Sequence, residues 1–396
     1  MLAGTDSSAR PTCRPTEWAV LSPSYTKHFP LLARLVRESF RLAQDVGCIR
    51  FFGMLSTGED VISFRRRQPA ASEQMSLLSF DDVLLRRANT NLTYLLKRQW
   101  KKGTRARWCW SSDRRVTAAL KKFYGLIELH HMGFSHAWVL DCESVPLRTF
   151  SFGALFREFA GNPRILAINM SNPMVRNQES RYVAAAVCTA EGLKLMNASQ
   201  RNQVPPGLMV SYHVTDYWFY ALDALMAMVH YVETVWSEPF AYVFSRNPAS
   251  EYFYYGLFND RLAYGRRRHT TILLPESLDV RWPENAAVPP QDFGNYLFGK
   301  CHYNHTPNVL TFQQRLDVLK GPAFSWIHGY RFDLLDIFER IRTPSCSRHA
   351  EALLRELPDV TWATSNFKGQ VNMTRVALGD SHQQWHRWSA GRTTGW

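Results

Sequence analysis

Apolar and polar positions follow two rhythms along this chain. Trp18 to Leu21 is a short apolar run closed by Ser22-Pro23-Ser24-Tyr25, the pattern of a buried strand ending in a turn. From Phe29 to Ala43 the apolar residues Leu31, Leu32, Leu35, Val36 and Phe40 recur at helical spacing. Cys48 to Leu55 reads as a second strand, 56–60 as a polar loop and Val61 to Phe64 as a third strand. Strand, helix and strand in close succession predict a parallel sheet with a nucleotide-binding half. Phe80 to Trp100 has a helical pattern with Ser79 or Asp81 at its cap. Thr117 to His131 is another helix and leads into an Ala137–Leu140 strand. A helix over Phe152–Phe159 and a strand over Ile165–Ile168 follow. Helices are predicted over Ala184–Asn197, Tyr217–Val235 and Glu251–Tyr264, and a strand over Thr270–Leu274. Pro and Gly make 275–307 a loop, before a strand at Phe324–His328 and a helix at Phe332–Ile341.

Composition narrows the class. With 396 residues, 45% hydrophobic and 13% aromatic, the chain can bury a large core, which excludes disorder throughout. The net charge of +13 favours anionic partners such as nucleotide diphosphates, nucleic acid or an anionic membrane surface. Its basic runs are dispersed: Arg65-Arg66-Arg67, a looser set from Lys97 to Arg107, and Arg266-Arg267-Arg268. That dispersal, beside a well-patterned core, sets a nucleic-acid-binding protein below an enzyme. The seven cysteines form no Cys-x-x-Cys pair, so no structural zinc site is expected. Their odd count and scatter suggest reduced thiols and a cytoplasmic setting. Nothing in 1–15 resembles a signal peptide, and no segment approaches the ~20 apolar residues of a transmembrane helix. Five Asn-x-Ser/Thr sequons, at Asn91, Asn169, Asn197, Asn304 and Asn372, would matter only in a secretory lumen. The lumen is therefore the alternative location, reached through an anchor outside this sequence.

The segment richest in chemistry is His136-Ala-Trp-Val-Leu-Asp-Cys-Glu-Ser144. An apolar run ends in two carboxylates, Asp141 and Glu143. Burying such a pair unpaired is costly. At a strand's carboxyl end, where ligands of open α/β sheets gather, it can hold Mn²⁺ or Mg²⁺ shared with substrate phosphates. An ordinary strand end followed by a polar turn is the competing reading. Basic residues Arg114, Lys121 and Lys122 precede this strand and are candidates to reach phosphate, with surface solvation as their plainer role. No Gly-x-x-x-x-Gly-Lys-Ser/Thr loop is present, which excludes a P-loop NTPase.

The order of these features, with Ser-Pro-Ser-Tyr after the first strand and Asp-Cys-Glu-Ser after a later one, resembles the GT-A class of nucleotide-sugar glycosyltransferases. The Asp-x-Glu here departs from that class's Asp-x-Asp by one longer arm. The resemblance implies an α/β fold with a Rossmann-like, mostly parallel central sheet flanked by helices and an acceptor-side helical and loop region. It implies a catalytic domain over 17–275, preceded by a patternless, flexible N-terminus over 1–16. The nucleotide half would be 17–150 and the acceptor half 151–275. Residues 276–374 would pack on the same domain, and 375–396 would form a tail. It further implies transfer from a UDP- or GDP-linked sugar to a glycan or other hydroxyl acceptor, with no nucleic acid involved. Ser22, Pro23, Ser24, Tyr25 and Asp60 would hold the base and ribose, with Arg114, Lys121 and Lys122 toward the phosphates. Asp141, Glu143 and a late histidine, His328, would hold the metal. An inverting transfer needs a carboxylate base. Glu251, heading an aromatic-rich helix, is preferred over Asp216, and both also suit a helix's first turn. A nucleotidyltransferase is the runner-up, disfavoured because the turn after the first strand lacks a Gly-rich basic loop.

Overall fold

A computed structural model describes residues 17–101, 113–142, 144–146, 150–161, 163–169, 180–196, 210–212, 218–262, 269–273, 326–329 and 362–365. The first apolar run forms β1 (Trp18–Pro23), whose first five residues are buried. The helical pattern behind it forms α1 (Phe29–Leu42), and the next run forms β2 (Arg50–Leu55). Then come α2 (Gly58–Arg67), α3 (Pro69–Glu73), β3 (Ser76–Ser79), α4 (Phe80–Ala88), α5 (Leu92–Lys101) and α6 (Asp113–His131). The acidic segment leaves β4 (His136–Val139), and β5 (Val145–Pro146) and α7 (Phe152–Gly161) follow. The second half holds β6 (Arg164–Asn169), α8 (Ser180–Gly192), β7 (Val210–Ser211), β8 (Phe219–Ala221) and α9 (Leu222–Trp236). It continues with α10 (Phe240–Arg246), α11 (Glu251–Arg261) and β9 (Thr270–Leu273). Two short strands, β10 (Trp326–Gly329) and β11 (Trp362–Ser365), complete the described elements.

The central sheet has the order β3-β2-β1-β4-β8, with the first four strands parallel and β8 antiparallel at the edge. This is the α/β, mostly parallel architecture expected from the sequence. Strand alternation sends Ala19, Leu21, Phe52, Met54, Ala137, Val139 and Tyr220 to one face, into a core shared with α4, α6, α9 and α11. Trp18, Val20, Phe51, Trp138 and Phe219 point to the other face, against α1 and α7. From β1 the chain steps outward to β2 and β3, then returns through α6 to place β4 on the other side of β1. The strand order reverses there, and the crevice outside the carboxyl ends of β1 and β4 is where such sheets bind ligands.

The approach of α6 to the sheet depends on Gly125. A Cβ there would stand 2.6 Å from Leu21 Cδ2, so only glycine lets this helix lie so close to β1. The packing fixes where Lys121 and Lys122, one turn earlier, arrive. Two small sheets lie outside the central one. In one, β6 pairs with β9 and β7; in the other, β11 pairs with β10 and, antiparallel, with β5.

Several expectations need correcting. Val61–Phe64 is helical, within α2. Thr57 caps that helix by accepting from Asp60 N, with Glu59 and Asp60 in its first turn and Arg65–Arg67 in its last, a charge order that suits the helix dipole. The third strand is instead Ser76–Ser79. The expected helix over Phe80–Trp100 is two helices, because Asn89 adopts a left-handed conformation, φ +47°, and ends α4. Phe219–Ala221, placed inside a helix by its apolar pattern, is strand β8. The reduced-thiol expectation fails for Cys48 and Cys188, which are disulfide-bonded, while Cys142 is a buried thiol. The loop over 275–307 and the helix over Phe332–Ile341 lie outside the described residues.

Candidate functional site

Consecutive residues on a helix diverge by about 100°, and Lys121 and Lys122 use that divergence to serve two strand ends. Both are nearly buried, at 6% and 8% exposure, so the solvation reading does not hold for them. Lys121 Nζ donates to the Ser24 carbonyl at 2.9 Å and to Ser56 Oγ at 2.7 Å, joining the carboxyl ends of β1 and β2. Burial depresses its pKa, an effect partly offset by Asp60, Asp81 and Cys142. Thr26 Oγ1 donates to Asp60 Oδ1 at 2.7 Å, which ties the turn after β1 to the start of α2. Tyr25 Oη lies 2.6 Å from His28 Nε2, and His28 Nδ1 lies 3.3 Å from Cys142 Sγ. Desolvation pulls the His28 pKa down to about 4, so its imidazole is neutral near pH 7. The hydroxyls of Ser22 and Ser24 are buried without a hydrogen-bond partner, which is uncommon. The expected nucleotide residues Ser22–Tyr25, Asp60 and Lys121 are therefore brought together.

Lys122 turns the other way. Its Nζ lies 3.2 Å from Asp141 Oδ1 and 2.8 Å from Glu251 Oε1, and 4.0 Å from the centroid of the Trp218 ring. Burial works against the ammonium, but Asp141 and then Glu251 outweigh it, and the Lys122 pKa lies above the usual lysine value. Glu251 arrives as the first residue of α11, whose cap Ser250 accepts from Tyr252 N. Residues 251–259 of this helix are all buried, and Gly256 lets the Tyr212 ring press against the backbone, since a Cβ would meet it at 2.5 Å. Glu251 is 3% exposed as a residue. Beside this pair sits Tyr220, fully buried, its hydroxyl without a hydrogen-bond partner and its pKa pushed up by burial and then by Glu251.

The remaining expected residues are placed less completely. Arg114 is in the first turn of α6, and its side chain lies outside the described residues. Asp216 and Glu143 also lie outside them. His328 is in β10, opposite Thr364 of β11, whose Ala363 in turn opposes Val145. The backbone of His328 thus shares a sheet with the segment that follows Glu143, while its side chain is not described. A hard divalent ion needs several oxygen ligands. Among the described residues Asp141 is ion-paired to an ammonium and no group of three His, Cys, Asp or Glu could hold a metal, while Glu143 and the His328 side chain lie outside them.

Sequence reasoning missed Trp218, Tyr220, Ser56, His28 and Cys142. A signal for the first two was present: Trp218-Phe219-Tyr220 alternates, with Trp218 and Tyr220 on the site's face of the sheet and Phe219 on the other. The contacts of Ser56, His28 and Cys142 arise only when β1, β2 and β4 are aligned.

No protein-family model matches the chain, and no curated protein does. Among solved structures, it is similar to mouse xyloside xylosyltransferase 1 in its apo form, at 10% identity and a TM-score of 0.33. That likeness covers 66% of this chain and 86% of the other.

Proposed function

We propose that the chain is a glycosyltransferase that moves a sugar from a nucleotide-diphosphate sugar to a hydroxyl acceptor. One observation carries this reading. At the β1/β4 crevice, a polar cluster with unpartnered hydroxyls (Ser22, Ser24, Asp60, Lys121) lies beside an acid–ammonium–acid group (Asp141, Lys122, Glu251). The first cluster suits a base and ribose, and the second suits the reacting end. In the reaction an acceptor oxygen would bond to the anomeric carbon as its bond to the diphosphate breaks. Glu251 would take the acceptor's proton, and the buried ammonium groups would stabilise the departing negative charge. Asp216 is the rival base.

A panel of UDP-, GDP- and CMP-sugars tested by thermal shift checks the donor reading, since a bound ligand raises apparent stability. A rise with one nucleotide class, abolished in Lys121→Ala, is expected. No shift with any of them, together with no release of nucleotide in their presence, would end this reading.

Among the described residues no helix is long and apolar enough to cross a membrane. Of the two locations considered, the disulfides at Cys48 and Cys188 favour the secretory lumen. Asn91 offers a direct readout. It is exposed, and its side-chain oxygen caps α5 by accepting from Tyr94 N at 2.8 Å. Attachment of a glycan through Nδ2 would leave that bond intact. Peptide mapping of the protein from its source cells should find Asn91 glycosylated, and an unmodified Asn91 would favour the cytoplasm.

A further inference from the structure

We propose that the Lys122 ammonium is the site's resident cation, doing by itself what a divalent metal ion would do at Asp141. The inference rests on the donor reading above and goes beyond it, because it predicts transfer that needs no added metal.

An ordinary lysine extends into water and pairs loosely. This one is 8% exposed, and three separate parts of the chain close on its Nζ. Asp141 comes from the exit of β4, at 3.2 Å, and Glu251 from the first turn of α11, at 2.8 Å. Trp218, just before β8, offers its ring face at 4.0 Å. The neighbouring Lys121 cannot substitute, since its Nζ is committed to Ser24 and Ser56.

The charge count supports the same conclusion. Asp141 and Glu251 together carry −2, and Lys122 reduces this to −1 within one buried cluster. A divalent ion ligated by Asp141 would face a fixed positive charge already bonded to the same carboxylate. It would have to displace a side chain anchored on two other elements. An ammonium has three N–H donors. A donor not engaged by Asp141 or Glu251 would be the one to meet a phosphate oxygen. A built-in cation also differs functionally from a recruited one: its occupancy does not vary with metal concentration.

Manganese binding tests this without relying on turnover. Purified wild type, Lys122→Arg and Lys122→Gln are titrated with Mn²⁺ and free ion is followed by electron paramagnetic resonance. Donor binding by thermal shift and turnover are then measured in Mn²⁺ and in EDTA. Wild type and Lys122→Arg should leave Mn²⁺ free, and wild-type donor binding and turnover should be unchanged by EDTA. Lys122→Gln should take up Mn²⁺, because Asp141 and Glu251 then lack a cation, and should lose about 10²–10³ in turnover, the scale for one preorganised charge. Lys122→Arg should recover part of that turnover. Uptake of Mn²⁺ by wild type, with donor binding or turnover lost in EDTA, would overturn the proposal. If Lys122→Gln does not fold, wild type and Lys122→Arg still decide the question. If no nucleotide sugar binds under either condition, the donor reading has failed. The Mn²⁺ titration still reports on the cation: uptake by wild type overturns the proposal, and uptake by Lys122→Gln alone supports it.

Discussion

Replacing Glu251 with Gln should weaken the fold and turnover together, and the two effects can be separated. The side chain is 4% exposed and lies 2.8 Å from Lys122 Nζ. Breaking a buried ion pair by removing one partner costs about 3–5 kcal/mol. Here Lys122 keeps Asp141 at 3.2 Å, and the glutamine carbonyl can still accept from Nζ. The loss should therefore fall to about 1–3 kcal/mol, the range for an imperfectly satisfied buried polar group. For a domain of this size that is roughly 2–10 °C in Tm. If Glu251 is the base, turnover should also drop by about 10²–10⁴-fold with donor binding near wild type. A stability-matched control comes from the same helix that carries Lys122. Glu128 is also nearly buried, and it pairs with Arg86 at 2.8 Å and Arg87 at 2.7 Å, away from the site. Glu128→Gln should lower Tm comparably and leave turnover unchanged. Initial rates are compared at a temperature where circular dichroism shows every variant folded. Turnover of Glu251→Gln within a few-fold of wild type would refute the assignment. A large loss in Asp216→Asn instead would transfer the role to that residue.

Two further outcomes follow from the geometry. The folded-state pKa of His28, about 4, lies below its ordinary value of 6.5, so the unfolded chain binds a proton that the folded chain refuses. Stability from this group is complete above pH 6.5 and is lost as pH falls toward 4. The total is roughly 3 kcal/mol at most, less for its partial exposure; His28→Gln should flatten the urea-midpoint profile across this window, and an unchanged slope would contradict it. Gly125→Ala should force a Cβ into Leu21, moving α6 from β1 at a cost of about 1–3 kcal/mol; a variant with wild-type Tm would show that this contact relaxes freely.

The central sheet was legible because each of its main strands is an apolar run closed by a turn. Trp18–Leu21, Cys48–Leu55 and Ala137–Leu140 fell within a residue or two of β1, β2 and β4. The failures were places where tertiary contacts outvote local pattern. Val61–Phe64 is apolar enough for a strand, but Thr57 caps a helix just before it. Phe219–Ala221 merges into an apolar helix in sequence and is turned into a strand by pairing with β4. A left-handed Asn89 carries no apolar signature, so the break between α4 and α5 was invisible to periodicity.

The site divides in the same way. Residues carried directly on strand exits, such as Ser22–Tyr25 and Asp141, could be located from the sequence because a strand end has a recognisable position. Residues whose role depends on a partner far along the chain could not be read so fully. Lys122 and Glu251 stand 129 positions apart, and each separately looked like a helix-surface charge. Only the close approach of α6 to β1, allowed by Gly125, and the burial of residues 251–259 of α11 bring them to 2.8 Å. That meeting changes the chemistry expected at Asp141. A carboxylate at a strand exit asks for a cation, and sequence alone supplies the commonest one, a divalent metal. The fold brings an ammonium to that carboxylate from α6. Under the proposal above, the identity of the cation is a property of helix packing more than of the acidic motif.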